Sequence, residues 1–135
     1  MPTQETLPHG TETILIVDDQ ETVWDFLIEA LQNLGYCVLL AENGEDAVSI
    51  YKENPGQIDL VLLDMIMPRM GGHTAFYKIR EMYPNAKILL SSGFMRQEAV
   101  QDLMENGAAG FLEKPHRLPV LAKKIREILD SDSQK

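Results

Sequence analysis

The chain has 135 residues, enough for one domain that buries roughly two thirds of its unfolded surface. Its 21 acidic residues against 12 basic ones leave a net charge of −9, which argues against non-specific attraction to nucleic acid or anionic lipid. No apolar run approaches the about 18 residues a membrane helix needs, no charged-then-apolar signal opens the chain, and the lone Cys37 forbids an internal disulfide, which fits a reducing compartment such as the cytoplasm. Residues 1–10, with two prolines and a glycine, read as a flexible leader, residues 11–130 as the domain, and residues 131–135 as a disordered tail.

Thr13-Ile14-Leu15-Ile16-Val17 is β-branched and apolar, hence a buried strand, and runs into Asp18-Asp19. From Glu21 the period changes: Val23, Trp24, Leu27, Ile28, Leu31 and Leu34 share one helical face, stopped by Gly35. Residues 36–41 form a second strand, with Cys37 between Tyr36 and Val38 expected to be a buried, inert thiol. Asn43-Gly44 turns the chain into a helix ended by Asn54-Pro55-Gly56.

The unbroken run Leu60–Leu63 suits a strand covered on both faces, and it stops on Asp64. A Pro68-to-Gly72 loop leads into a helix carrying Ala75, Phe76 and Ile79 inward, to about Met82. Residues 87–90 make a fourth strand leaving through Ser91-Ser92-Gly93. A short helix at 97–106 is capped by Gly107, and residues 109–112 form a fifth strand ending near Lys114-Pro115. The last helix, 118–129, tolerates Pro119 in its first turn. Trp24, Met65, Met67 and Met70 read as packing residues, and His9, His73 and His116, which lack metal-ligand spacing, as surface or loop residues. Five strand–helix repeats with short connections imply a doubly wound α/β domain, a parallel sheet with helices on both faces.

In such a sheet ligands bind beyond the carboxyl ends of the strands, where strand order reverses. Those ends carry Asp18-Asp19, Asp64, Ser91-Ser92 and Lys114. Each alone has a plain structural reading as a cap, a turn or a solvated lysine. Converging, three carboxylates repel one another unless a cation sits among them, and Mg2+ suits a site of carboxylates, a carbonyl, waters and phosphate oxygens. A hydroxyl and an ammonium opposite would complete a cradle for a phosphoryl group.

These residues resemble the receiver domains of two-component response regulators. The resemblance covers Thr13 to about Leu129 and rests on Ile14-Leu15-Ile16-Val17-Asp18-Asp19, on Leu62-Leu63-Asp64-Met65-Ile66-Met67-Pro68-Arg69-Met70-Gly71-Gly72, on Leu90-Ser91-Ser92-Gly93 and on Gly110-Phe111-Leu112-Glu113-Lys114-Pro115. It implies a flavodoxin-like fold of five parallel strands in the order 2-1-3-4-5 with five helices. It also implies Asp64 as phosphoacceptor, and Asp18, Asp19, Asp64 and the Ile66 carbonyl around Mg2+. Ser92 and Lys114 would hold the phosphoryl oxygens, Ser92 and Phe111 would act as switch residues, and a cis bond would join Lys114 and Pro115. The implied partner is a histidine kinase or histidine phosphotransfer protein, docking near the first helix. The implied output face, and dimer contact, is the fourth helix, fifth strand and last helix, and nucleic acid and membrane are excluded as partners.

The sequence departs from the family pattern at Gln20, Gly71, Phe111 and His116. The lead-in Gly10-Thr11-Glu12-Thr13 resembles the join in hybrid histidine kinases. Such a domain is a phosphoacceptor switch rather than an enzyme. A small phosphohydrolase using an aspartyl nucleophile is the competing reading, but it wants an acid two residues after the nucleophile, where Ile66 stands. A pseudo-receiver that only mediates contacts is the third, and the intact Asp18, Asp19, Asp64, Ser92 and Lys114 speak against it.

Overall fold

A computed structural model describes residues 7–66, 70–93, 96–114 and 116–131. Five strands and five helices alternate: β1 (Thr13–Val17), α1 (Glu21–Asn33), β2 (Cys37–Ala41), α2 (Gly44–Glu53), β3 (Leu60–Asp64), α3 (Gly72–Met82), β4 (Ile88–Ser92), α4 (Gln97–Glu105), β5 (Gly110–Glu113) and α5 (Leu118–Asp130). All strand pairs are parallel, in the order β2-β1-β3-β4-β5, the flavodoxin-like order expected.

The period of two along each strand sorts the core into two layers. Ile14, Ile16, Leu60, Leu62 and Leu89 face α1 and α5, where Leu27, Leu31, Leu121 and Ile125 meet them. Leu15, Val17, Val61, Leu63, Ile88 and Leu90 face α2, α3 and α4, against Ala47, Tyr51, Ala75, Phe76, Ile79 and Leu103. The apolar runs in the sequence are continuous because both faces of β1, β3 and β4 are covered. Trp24, Met65 and Met70 pack against these layers as expected, while Met67 lies outside the described residues.

Polar strand ends extend further into the sheet than apolar content alone predicts. Asp64 belongs to β3, and Ser91 and Ser92 belong to β4. The ladder carries on through them: the Met65 N–H donates to Ser91 O at 2.9 Å, and the Lys114 N–H to Ser92 O at 2.9 Å. Site residues therefore stand on hydrogen-bonded backbone rather than on loops.

Helix ends follow their sequence signals. The Asn43 side chain accepts from the Asp46 N–H at 2.9 Å, capping α2. Gly35 closes α1 at φ 103°, with its own N–H on Gln32 O and the Tyr36 N–H on Leu31 O, a Schellman pattern. A Cβ there would also meet Gly10 O at 2.4 Å. Gly35→Ala is expected to lose roughly 1–3 kcal/mol by combining left-handed strain with that clash. Urea unfolding measures it, and an unchanged midpoint would show that the turn relaxes freely.

One expectation is corrected. Cys37 is exposed, not buried. It opens the edge strand β2 with its side chain opposite the inward-facing Tyr36 and Val38, at a position no described helix covers. Within the stretch expected as a leader, residues 7–10 make contacts with the domain. Leu7 packs on the α1–α5 layer, the Gly10 N–H donates to Leu34 O at 3.0 Å, and Arg126 of α5 reaches His9 O and the Glu12 carboxylate. At the other end the Ser131 N–H continues α5 by bonding Glu127 O, and Lys87 Nζ caps the helix through Ile128, Leu129 and Ser131 carbonyls. Residues 1–6 and 132–135 lie outside the described residues.

Candidate acidic phosphoryl site

Parallel strands with β1 and β3 side by side bring Asp18 and Asp64 to the same edge of the sheet, at the point where the winding reverses direction. Asp18 leaves β1 almost fully buried. Its Oδ1 accepts from the Gln20 N–H at 2.9 Å and its Oδ2 from Lys114 Nζ at 2.8 Å. Asp19, next in chain, turns to solvent. Asp64 ends β3 only 4% exposed, with Lys114 Nζ 3.4 Å from its Oδ2 and the Ile66 N–H 3.4 Å from its Oδ1. Asp18, Asp19 and Asp64 each offer a carboxylate oxygen within 4.8 Å of the others.

This crowding has an electrostatic cost. Burial first, and then the Asp18 charge, push the Asp64 carboxyl up to about 6, against the opposing pull of Lys114 and the Ile66 N–H. A single ammonium shared by two buried carboxylates leaves the cluster net negative. The donor set, three hard oxygens converging on one point, fits a divalent cation of the Mg2+ kind.

Asp64, Ile66, Ser92, Gly93, Lys114 and Gln20 line one pocket of about 310 Å³. Ile66 stands at its rim, 64% exposed. Of the residues expected at the site, Asp18, Asp19, Asp64, Ile66, Ser92 and Lys114 come together. Phe111 does not enter the pocket; it is partly buried in β5 against the α2–α4 layer. Pro115, and with it the expected cis bond, lies outside the described residues.

His116 lies in the loop between β5 and α5, as a surface or loop residue would, but it is partly buried, and its Nε2 sits 2.8 Å from Ser91 Oγ. The clue was strand alternation: Ser91 and Ser92 must face opposite ways, so only Ser92 serves the pocket and Ser91 needs another partner. A second groove, of about 430 Å³, adjoins the acidic pocket through Gln20 and Lys114 and is lined further by Thr22, Val23, Phe26 and His116.

A doubly wound domain with an acidic, lysine-bridged pocket at its switch point defines the class: α/β domains of the flavodoxin-like fold. The sequence matches the response regulator receiver domain over residues 14–126, and the chain belongs to that family. It is 35% identical over 121 residues to the sensor kinase CckA of Brucella abortus, covering 90% of this chain and 13% of that protein. It is 36% identical to the chemotaxis protein CheY of Bacillus subtilis, covering 87% of this chain and 97% of that one. The chain thus spans about an eighth of its sensor-kinase relatives, and nearly all of the single-domain ones. Among solved structures, a chain of the CheX–CheY–BeF3–Mg2+ complex of Borrelia burgdorferi superposes with a TM-score of 0.85 at 30% identity, covering 89% of this chain and 90% of that one. The receiver domain of the hybrid histidine kinase CckA gives 0.74 at 35% identity, covering 87% and 99%. The protein is a receiver domain of two-component signalling.

Proposed function

We propose that Asp64 accepts a phosphoryl group from the phosphohistidine of a histidine kinase or histidine phosphotransfer protein. The observation that carries this is a buried Asp64 carboxylate facing a pocket shared with Lys114 and Ser92. A carboxylate oxygen of Asp64 attacks phosphorus in line; the P–N bond breaks, and its electron pair returns to the partner's imidazole. The product is an acyl phosphate carrying roughly two negative charges. Lys114, now held by Asp18 and Asp64, is within reach of the new oxygens, and the Ser92 hydroxyl lines the same space. Asp18, Asp19, Asp64 and the Ile66 carbonyl would hold Mg2+, which when bound neutralises charge on the transferring group. Ser92 and Phe111 then carry the switch, as a two-state shift toward the arrangement the acyl phosphate favours.

The partner approaches over the groove beside α1, where Phe26 is 46% exposed next to the pocket. The output and dimer face, α4, β5 and α5, presents the exposed Met104 and Val120. The net charge of −9 supports protein partners over nucleic acid or membrane. Among the described residues no helix is long and apolar enough to cross a membrane. A cytoplasmic place follows from the phosphohistidine donors such a domain serves.

With acetyl phosphate and Mg2+, the wild-type chain is expected to take up one phosphoryl group and Asp64→Asn none, read by intact mass at neutral pH. Labelling retained in Asp64→Asn sinks the assignment. Phe26→Asp should slow transfer from the cognate phosphohistidine protein about tenfold or more, the scale of losing an interface anchor. Labelling by acetyl phosphate should stay unchanged. Equal slowing with both donors would move the docking surface elsewhere.

A further inference from the structure

The turn that carries Lys114 is tied to the sheet by two hydrogen bonds of different kinds. One belongs to the ladder, from the Lys114 N–H to Ser92 O at 2.9 Å. The other is a side-chain pair, His116 Nε2 with Ser91 Oγ at 2.8 Å. Ser91 is itself fixed, 2% exposed, with its carbonyl accepting from the Met65 N–H directly after Asp64. His116 stands two positions after Lys114, and Ser91 stands directly before Ser92. The pair therefore spans the two segments that present Lys114 and Ser92 to the pocket.

We propose that the Ser91–His116 hydrogen bond is a strut fixing the Lys114-bearing turn on β4, which makes His116 a positioning residue for phosphoryl acceptance. The inference rests on the phosphoryl-acceptor reading of Asp64. Lys114 is a long, flexible side chain that must leave two carboxylates and meet phosphoryl oxygens. Where its backbone is anchored sets how much of its reach lands on target. His116 lines the groove beside the acidic pocket rather than the pocket around Asp64 itself, and the turn is its direct structural link to Lys114.

The environment of the ring supports a neutral strut. Nδ1 is buried and, among the described residues, has no hydrogen-bond partner. A protonated ring would have two N–H donors, one of them facing no acceptor. Burial above all, and then Lys114, pull the His116 pKa down, with Asp18 opposing. The charged groups around the ring are Lys114, Asp18, and the Glu113 and Arg117 that share its wall toward α5. The α1 side offers only Gln20, Thr22, Val23 and Phe26, and the α5 side Val120 and Leu121. The unfolded chain takes up a proton near the ordinary histidine value of 6.5, and the folded ring resists to lower pH. The strut's contribution is therefore complete above that value and falls away as pH drops below it.

The test compares wild type with His116→Phe, Ser91→Ala and His116→Gln, all with the acidic cluster, Ser92 and Lys114 intact. In acetyl phosphate labelling with saturating Mg2+, His116→Phe and Ser91→Ala should lose about tenfold or more in maximal rate, the scale of a misplaced positioning group. Apparent Mg2+ affinity should be unchanged. His116→Gln, which can bond Ser91 again without the ring, should recover most of the loss. Wild-type rates in His116→Phe, or equal losses in His116→Phe and His116→Gln, overturn the proposal. Amide hydrogen exchange over residues 110–117 gives an answer free of phosphoryl chemistry: faster exchange in His116→Phe and Ser91→Ala supports the strut, and unchanged exchange removes it. If wild type is not labelled at all, the phosphoryl-acceptor reading falls, and the exchange comparison still decides whether the strut holds the turn.

Discussion

Asp64→Asn is expected to be more stable than wild type by about 3 kcal/mol at pH 8 with divalent cations chelated, the equivalent of the displacement of the Asp64 carboxyl. In the folded protein that carboxyl titrates at about 6, against an ordinary value of 3.8. Between those values the folded state binds more protons than the unfolded state, so stability falls as pH rises from 3.8 to about 6 and stays level above. The asparagine variant carries no such charge. Its advantage should thus be full at pH 8, should be mostly gone near pH 4, and should vanish well below 3.8, where Asp64 is neutral in both states. Lys114 keeps its 2.8 Å partner Asp18 in the variant, so no ammonium is stranded to offset the gain. Urea unfolding at the two pH values measures the difference. An advantage independent of pH, or a less stable variant at pH 8, would refute the picture of a carboxylate held under strain.

The same repulsion predicts the response to metal. Mg2+ binding to the folded state alone stabilises by RT ln(1 + [Mg2+]/Kd), about 2.7 kcal/mol at a hundredfold excess over Kd. Wild type should gain that much, and Asp64→Asn, with one of three carboxylates removed, clearly less. On the proposed reading, the acidic cluster trades fold stability for the capacity to hold a cation.

Much of this was legible in the sequence because the rules involved are local. Apolar runs such as Leu60–Leu63 identify strands covered on both faces, and Gly35 and Gly107 mark helix ends that the backbone confirms at φ 103° and 108°. Which strands are neighbours is a long-range property, and alternation alone left it open; only the family resemblance supplied the order 2-1-3-4-5. Cys37 shows the limit of flanking context. Apolar neighbours suggest burial, but alternation on an edge strand sends the thiol outward. His116 shows a different limit. Nothing within its own segment announces Ser91, which is far away in sequence and meets it only because β4 and β5 pair in register. Leu7 and Gly10 are similar, since the contacts that hold them come from Arg126 and Leu34.

The lifetime of the proposed acyl phosphate turns on a residue that is legible in both sequence and structure. Hydrolysis needs a water in line with the P–O bond, opposite the leaving Asp64 oxygen. Ile66 lines the pocket with Asp64, Ser92 and Lys114, and at 64% exposure its side chain stands at the rim rather than in the core. An apolar group there can neither orient nor polarise the attacking water. The family resemblance would place Phe94, two residues beyond Ser92, at the same approach; it lies outside the described residues. A positioned polar side chain changes such a rate by about 10²-fold at the low end of acid–base assistance. Ile66→Asn is therefore expected to shorten the phosphorylated lifetime by up to about 10²-fold, and Phe94→Glu to shorten it further in combination. Decay of the phosphorylated chain, followed by intact mass after removal of the donor, measures both. Because Ile66 contributes only its backbone to the acidic cluster, Mg2+ affinity and the initial labelling rate should change little. Decay equal to wild type in Ile66→Asn, with Mg2+ affinity preserved, would mean that the water approaches from a side this residue does not guard.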